Sequence, residues 1–331
     1  MKTIIFTYIA LLLLTLSISA KSILSFEIDD DIDDYSTQED QIIYNGYPNL
    51  ERNIIFNGEK ALDVYYKKTE TTVKKPVVMY IYGGSWVTGD KVRYTKFGVL
   101  LQKSGYVAVL PNYRIYPSGS VEDMVDDVYN AIQWTYNNIE KYGGDPNQII
   151  LTAHSAGAHL SALTIVKSTL GLYNNGVQLT PLPFIKKAVL MNGPYILNKD
   201  LIGHTITKGL FGGSSGGNSQ SDSSQIALLP KFLLKYYNDN NISPIALLQK
   251  VADNSITNQF NIGEFTFFYT SKDGTVPESS AKNLIKQINR TSPLSICNYV
   301  YKEGLEHATL VFGIRDNDII FENMYLDLIR N

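Results

Sequence analysis

"IILTAHSAGAHLSAL", residues 149–163, passes from an apolar, strand-like run into a helix-like run through a single serine. Ile149, Ile150 and Leu151 read as a buried strand. Ala156, Gly157 and Ala158 are small enough for the following helix to lie close to a sheet. A chain that turns this sharply pushes the residue at the turn, Ser155, out of the sheet edge at an unusual backbone angle. The pattern is G-x-S-x-G with the first glycine replaced, as Ala153-His154-Ser155-Ala156-Gly157. Taken alone, it also describes an ordinary helix start, so the rest of the chain has to decide.

Eight β-type runs occur in order: "NIIFN", "ALDVYYKK", "VVMYIYGG", "YVAVLPNYR", "QIILTAHS", "KKAVLMNG", "FTFFYTSKDG" and "ICNYVYKEG". The middle ones are nearly continuous apolar stretches, as expected of strands covered on both faces. Helical patterns lie between them. Val121, Val125, Val128, Ile132, Tyr136 and Ile139 share one face of a helix that stops at Tyr142-Gly143-Gly144, with Pro146 beyond. Asp123, Asp126 and Asp127 fall in its first turns, where negative charge is favourable. The last helix carries Ile320, Met324 and Leu328 at four-residue spacing. Strands alternating with helices predict a mostly parallel, eight-stranded α/β sheet with helices on both faces, over residues 46–331. One segment breaks the rhythm. "GLFGGSSGGNSQSDSSQ", residues 209–225, reads as a flexible loop, and "LLPKFLLKYYNDNNISPIALLQ" after it reads as helical. Together they predict a small lid-like insertion at about 200–250, between the sixth and seventh strands.

In an open parallel sheet, sites form at the carboxyl ends of the strands. Ser155 ends the fifth strand, Asp273 follows the seventh, and His307 follows the eighth. A neutral serine hydroxyl attacks poorly without a base, and the base needs a carboxylate to hold its tautomer and stabilise its charged form. The order Ser, Asp, His fits a nucleophile, acid and base set. The other three histidines fit the base role less well. His154 should point away from Ser155, His159 lies a turn further into the helix, and His204 sits by the insertion. Glu278 and Asp253 are rival acids, but neither ends a strand as cleanly as Asp273. "YIYGGSW", residues 80–86, places Gly83-Gly84-Ser85 after the third strand. Glycines let backbone N–H groups approach a developing oxyanion, so Gly84, Ser85 and Ala156 are the expected donors, with Gly83 shaping the loop. No metal and no organic cofactor is expected.

The chain has 331 residues, a net charge of −3 and no basic patch, which gives no reason to expect a nucleic-acid partner. "MKTIIFTYIALLLLTLSISAKS" has a basic start, an apolar core and small residues after it. Residues 1–20 therefore read as a secretory signal peptide, or a signal anchor if uncleaved. That predicts the secretory pathway: an endoplasmic reticulum or Golgi membrane location, or secretion. The acidic stretch at 21–45 reads as a poorly ordered linker. The single cysteine, Cys297, is expected in a buried strand, leaving no internal disulfide. Asn241 and Asn289 open Asn-x-Ser/Thr glycosylation patterns.

"YGGSWVTGDK", "LPNYRIYPSGSVEDMVDDV", "YGGDPNQIILTAHSAGAH", "FFYTSKDGTVP" and "EGLEHATLV" together resemble the hormone-sensitive-lipase-like branch of the α/β hydrolases. Within it they are most similar to the isoprenylcysteine α-carbonyl methylesterases. The resemblance spans about residues 60–330, apart from 205–230. It implies an α/β-hydrolase fold and a serine carboxylesterase with Ser155, Asp273 and His307 as the triad. Substrate contacts are implied at Gly83-Gly84-Ser85 and His154-Ser155-Ala156. A prenylcysteine methyl ester is the substrate it favours, with possible membrane association through the N-terminal segment. A secreted lipase or general esterase, an arylformamidase, and an inactive hydrolase fold used for binding are the alternatives. Where the branch commonly has His-Gly-Gly-Gly, this chain has Tyr82 and Ser85 in place of the His and the last Gly.

Overall fold

The middle apolar runs pair into one sheet because neither of their faces can be left in water, and the outermost runs close its two edges. The computed structural model describes residues 31–204 and 228–331. Its strands are β1 (Leu50–Asn57), β2 (Lys60–Tyr65), β3 (Lys75–Ile81), β4 (Val107–Pro111), β5 (Gly144–His154), β6 (Lys187–Met191), β7 (Phe265–Thr270) and β8 (Cys297–Lys302). They form an eight-stranded sheet in the order β1-β2-β4-β3-β5-β6-β7-β8. β2 runs antiparallel to β1 and to β4. All the other neighbouring pairs are parallel. A short two-stranded ribbon pairs Tyr173–Asn174 with Val177–Gln178 outside this sheet. The central positions of β3 and β5, from Val77 to Ile81 and from Ile149 to His154, are buried on both faces, as their unbroken apolar character requires.

Helices α1 (Asp31–Gly46), α2 (Thr95–Lys103), α3 (Val121–Asn138), α4 (Ala156–Thr169), α5 (Lys199–His204), α6 (Leu228–Tyr236), α7 (Pro244–Gln249), α8 (Ser279–Thr291), α9 (Thr309–Arg315) and α10 (Ile319–Arg330) surround the sheet. α3 starts with a capping box: the Ser120 hydroxyl takes the Asp123 N–H, and the Asp123 carboxylate takes the Ser120 N–H. α4 lies so close to β3 that a Cβ on Gly157 would stand 2.3 Å from the carbonyl oxygens of both Ile81 and Tyr82. Only glycine fits there. Because β3 and β5 to β8 run parallel, their carboxyl ends share one edge. The residues that follow them are thereby gathered from distant parts of the chain.

Several expectations need correction. The acidic segment is not a loose linker throughout, since α1 occupies Asp31–Gly46. Two of its acidic side chains meet cations, Glu39 with Lys96 at 3.1 Å and Asp40 with Arg315. Asp40 is buried against the Arg315 guanidinium at 3.0 Å. Tyr44 is buried beside the Lys91–Asp63 ion pair. Asp127, expected to serve as helix-terminal charge, is wholly buried and takes the Arg114 backbone N–H at 2.7 Å and its guanidinium at 2.8 Å. Along α3 the predicted face is buried, except that Tyr136 is exposed. In α10 the buried residues are Tyr325, Leu326, Leu328 and Ile329, while Ile320 is exposed. Cys297 lies on the edge strand β8 and is half-buried. Asn241 and Asn289 are exposed. The leader at 1–20, residues 21–30 of the acidic segment and the Gly/Ser run at 209–225 lie outside the described residues. Among the described residues, no helix is long and apolar enough to cross a membrane.

Candidate active site

β5 ends at His154 and α4 begins at Ala156, leaving Ser155 as the whole turn. Its N–H still pairs with Met191 of β6 at 2.9 Å, while its carbonyl already accepts the first helical bond from His159 at 3.0 Å. To serve both elements, Ser155 adopts φ 51° and ψ −121°. This region is sparsely populated for any residue with a Cβ. The side chain is thereby lifted to the sheet edge.

The Ser155 hydroxyl donates to His307 Nε2 at 2.8 Å, and His307 Nδ1–H donates to Asp273 Oδ2 at 2.8 Å. These donor assignments follow from the acceptors, since a carboxylate can only accept. Asp273 is buried. Its Oδ1 takes the backbone N–H groups of Thr275 at 2.8 Å and Val276 at 2.7 Å, and its Oδ2 also takes the Asn192 amide at 2.6 Å. Burial pushes the Asp273 carboxyl up. The charge and hydrogen bond of His307, then the Val276 N–H and the Asn192 amide, outweigh it and hold the group below the ordinary range. The site thus has a carboxylate fixed in its ionised form behind an imidazole that faces a hydroxyl.

Beside Ser155 lies the loop after β3. A Cβ on Gly83 would come within 2.9 Å of the Ser155 Cβ. Gly84, Ser85 and Trp86 have φ of 137°, 53° and 64°, so the loop bends back on itself. Among the described residues no acceptor takes the N–H of Gly84 or of Ser85. Ala156, the first residue of α4, has an N–H with no intrahelical partner. The three predicted donors are therefore unspent and adjacent to the serine. Ser155 opens onto a cavity walled by Trp86, Pro194, Leu201, Leu229, Leu233 and Val276. Leu229 and Leu233 come from α6, so the described part of the predicted insertion does border the site.

The rivals lie elsewhere. Glu278 pairs with Lys282 at 2.7 Å and accepts from Tyr299, and Asp253 pairs with Arg290. All three remaining histidines hold backbone or ring groups around the site. His154 Nε2 donates to the His307 carbonyl at 2.9 Å, and His204 Nε2 donates to the Asp273 carbonyl at 2.9 Å. His159 accepts from the Trp86 indole at 3.1 Å and donates to the Ile242 carbonyl at 2.7 Å. Asn192, which follows β6 as Ser155 follows β5, escaped the sequence reading. Its place at a strand end was the available signal. Among the described residues, no group of three or more His, Cys, Asp or Glu side chains could hold a metal ion.

A mostly parallel eight-stranded sheet with Ser, Asp and His in that chain order, linked by hydrogen bonds at the strand ends, is the arrangement of the α/β-hydrolase fold. The chain has that fold. The BD-FAE family model matches residues 62–183. A probable isoprenylcysteine α-carbonyl methylesterase of Arabidopsis thaliana is 28% identical over 267 residues, which are 80% of this chain and 52% of that one. The esterase LipC of Mycobacterium tuberculosis is 36% identical over 116 residues, 34% of this chain and 28% of its own. The chain thus spans about half the length of the first of these relatives, and less of the second. Among solved structures, a hyperthermophilic esterase from the archaeon Pyrobaculum calidifontis superposes with a TM-score of 0.63 at 19% identity, covering 92% of this chain and 95% of that one. That likeness confirms the fold.

Proposed function

We propose that the chain is a serine carboxylesterase that works through an acyl-enzyme on Ser155. The observation that carries this reading is the continuous hydrogen-bond path from Ser155 through His307 to Asp273. As Ser155 Oγ attacks the ester carbonyl carbon, its proton passes to His307 Nε2. Asp273 holds Nδ1–H and balances the imidazolium charge. The carbonyl oxygen gains negative charge and is met by the N–H groups of Gly84, Ser85 and Ala156, worth about 3 kcal/mol each. His307 gives its proton to the departing alcohol. Water then loses a proton to His307 and attacks the acyl carbon, and Ser155 leaves with that proton.

A prenylcysteine methyl ester is the favoured substrate. The names of the plant relatives support it, and so do the apolar walls supplied by Trp86, Leu229 and Leu233. A prenyl chain seated there would gain about 0.8 kcal/mol per buried CH₂. The mycobacterial esterase relatives favour a second reading, a general esterase of acyl esters. Hydrolysis of farnesylcysteine methyl ester, compared with short and long acyl esters, separates the two. Ser155→Ala is expected to lower ester hydrolysis by at least about 10³-fold, and a fluorophosphonate is expected to label the parent alone. Labelling that persists in Ser155→Ala would overturn the assignment.

A further inference from the structure

His154 sits directly before the attacking serine, yet its ring turns away from the cavity that Ser155 faces. It is buried, and among the residues that line that cavity it does not appear. On one side its Nδ1 stands against Gly83, where an added Cβ would approach to 3.0 Å. On the other side its Nε2 meets the carbonyl oxygen of His307 at 2.9 Å. The two imidazole rings lie 4.9 Å apart, tilted by 47°. One side chain therefore touches both the loop that offers the oxyanion donors and the loop that carries the base.

We infer that His154 is a positioning residue that sets the place of His307 through the hydrogen bond from its Nε2–H to the His307 carbonyl. The inference rests on the esterase reading above. A carbonyl only accepts, so the proton on Nε2 is fixed and Nδ1 is bare. That tautomer allows Nδ1 to lie against Gly83 without a donor to satisfy. The ring also has to stay uncharged. Burial, followed by the charge of His307, pushes the His154 imidazole down to about 3. A second cation beside His307 would oppose the imidazolium that forms during attack. A neutral ring that spends its one N–H on the carbonyl of the base's own residue holds the loop without that penalty. His307 follows the edge strand β8, so its loop has no further strand of the sheet beside it. The Thr270 hydroxyl on the Glu306 carbonyl, at 3.2 Å, is a longer bond than the one from His154.

The test compares His154→Leu, which keeps bulk and removes the N–H, with His154→Gln, which restores a donor of similar reach. For the Leu variant, kcat on a chromogenic acetate ester is expected to fall about 10- to 100-fold with KM within about twofold, because sub-ångström displacement of a base costs rate rather than binding. The Gln variant is expected to recover most of that loss. Fluorophosphonate labelling of Ser155 should slow in the same order. Parent-like kcat in the Leu variant, equal damage in both variants, or a rise in KM at constant kcat would each overturn the inference. If the Leu variant does not fold, His154→Asn replaces it: too short to reach the carbonyl, it should show the same loss against Gln, and equal rates would refute the role. A parent chain with no esterase activity would instead overturn the esterase reading on which the inference stands.

Discussion

At Ser155 the backbone pays for the geometry that the hydroxyl needs. A φ of 51° with ψ of −121° costs a residue with a Cβ about 1–3 kcal/mol, and glycine almost nothing. Ser155→Gly should therefore raise the unfolding free energy by about 1 kcal/mol while abolishing hydrolysis, and Ser155→Ala should leave stability near that of the parent. Urea unfolding of the three proteins checks this. A Gly variant no more stable than the Ala variant would mean that the turn is not strained. The same residue was the most legible feature of the sequence, because a small-residue strand-to-helix turn is a local signal. The placing of Asp273 and His307 at the same sheet edge as Ser155 was legible from strand ends and chain order. His154, His204 and Asn192 were not legible in their observed roles. What they do depends on backbone carbonyls and a carboxylate brought near by the sheet; a strand end was the one local sign for Asn192, and nothing in the neighbourhoods of His154 and His204 encodes their partners.

At the scale of elements, α6 joins the cavity wall to the loop after β3. Phe232 of α6 stacks on Trp86 with ring centroids 4.7 Å apart, and Trp86 directly follows Ser85. Leu229 and Leu233, a turn apart on the same helix, line the cavity. Replacing both with alanine removes wall that a long acyl or prenyl chain would cover and an acetyl group would not reach. The expected outcome is a KM for long-chain esters raised about 10-fold or more, from roughly 1.5–3 kcal/mol of lost contact per leucine shared with solvent, with acetate-ester kinetics within about twofold of the parent. Equal changes for short and long esters would remove α6 from substrate choice. The helical character of this segment was readable from its apolar spacing. Its docking on Trp86 was not, since stacking between rings 146 positions apart leaves no periodic trace. α1 escaped notice for a related reason. Its acidic composition outweighed its few apolar residues, and the cations that receive Asp40 and Tyr44 lie far along the chain.

Over the whole molecule, the sheet was legible because eight apolar runs alternating with helical patterns leave few ways to bury both faces, and the eight strands of the sheet match those runs one for one, while the short ribbon outside it was not foreseen. What holds the site edge together is less visible, and His159 is the clearest case. From α4 it takes the Trp86 indole N–H and gives its own to Ile242, so three separate segments meet on one ring. Burial, partly offset by the bond to the Ile242 carbonyl, pushes this imidazole down to about 4, against an ordinary value near 6.5 in the unfolded chain. The sign follows from proton counts. Between about pH 6.5 and 4 the unfolded chain binds a proton at this position and the folded chain does not, so stability falls as pH falls. The contribution is complete above the unfolded value and is lost at about 1.4 kcal/mol per pH unit across that window. Asp40 and Asp63, whose carboxyls burial raises, act in the opposite direction above about pH 4, so the parent's own pH profile mixes both effects. His159→Gln isolates the histidine, because the carboxylates titrate alike in both proteins. Urea unfolding at pH 7.5, 5.5 and 4.5 should find the parent the more stable at pH 7.5, with its advantage shrinking by on the order of 2 kcal/mol by pH 4.5. Parallel profiles for the two proteins would show that His159 takes up its proton without unfolding, and that the ring does not hold the three segments in its neutral form.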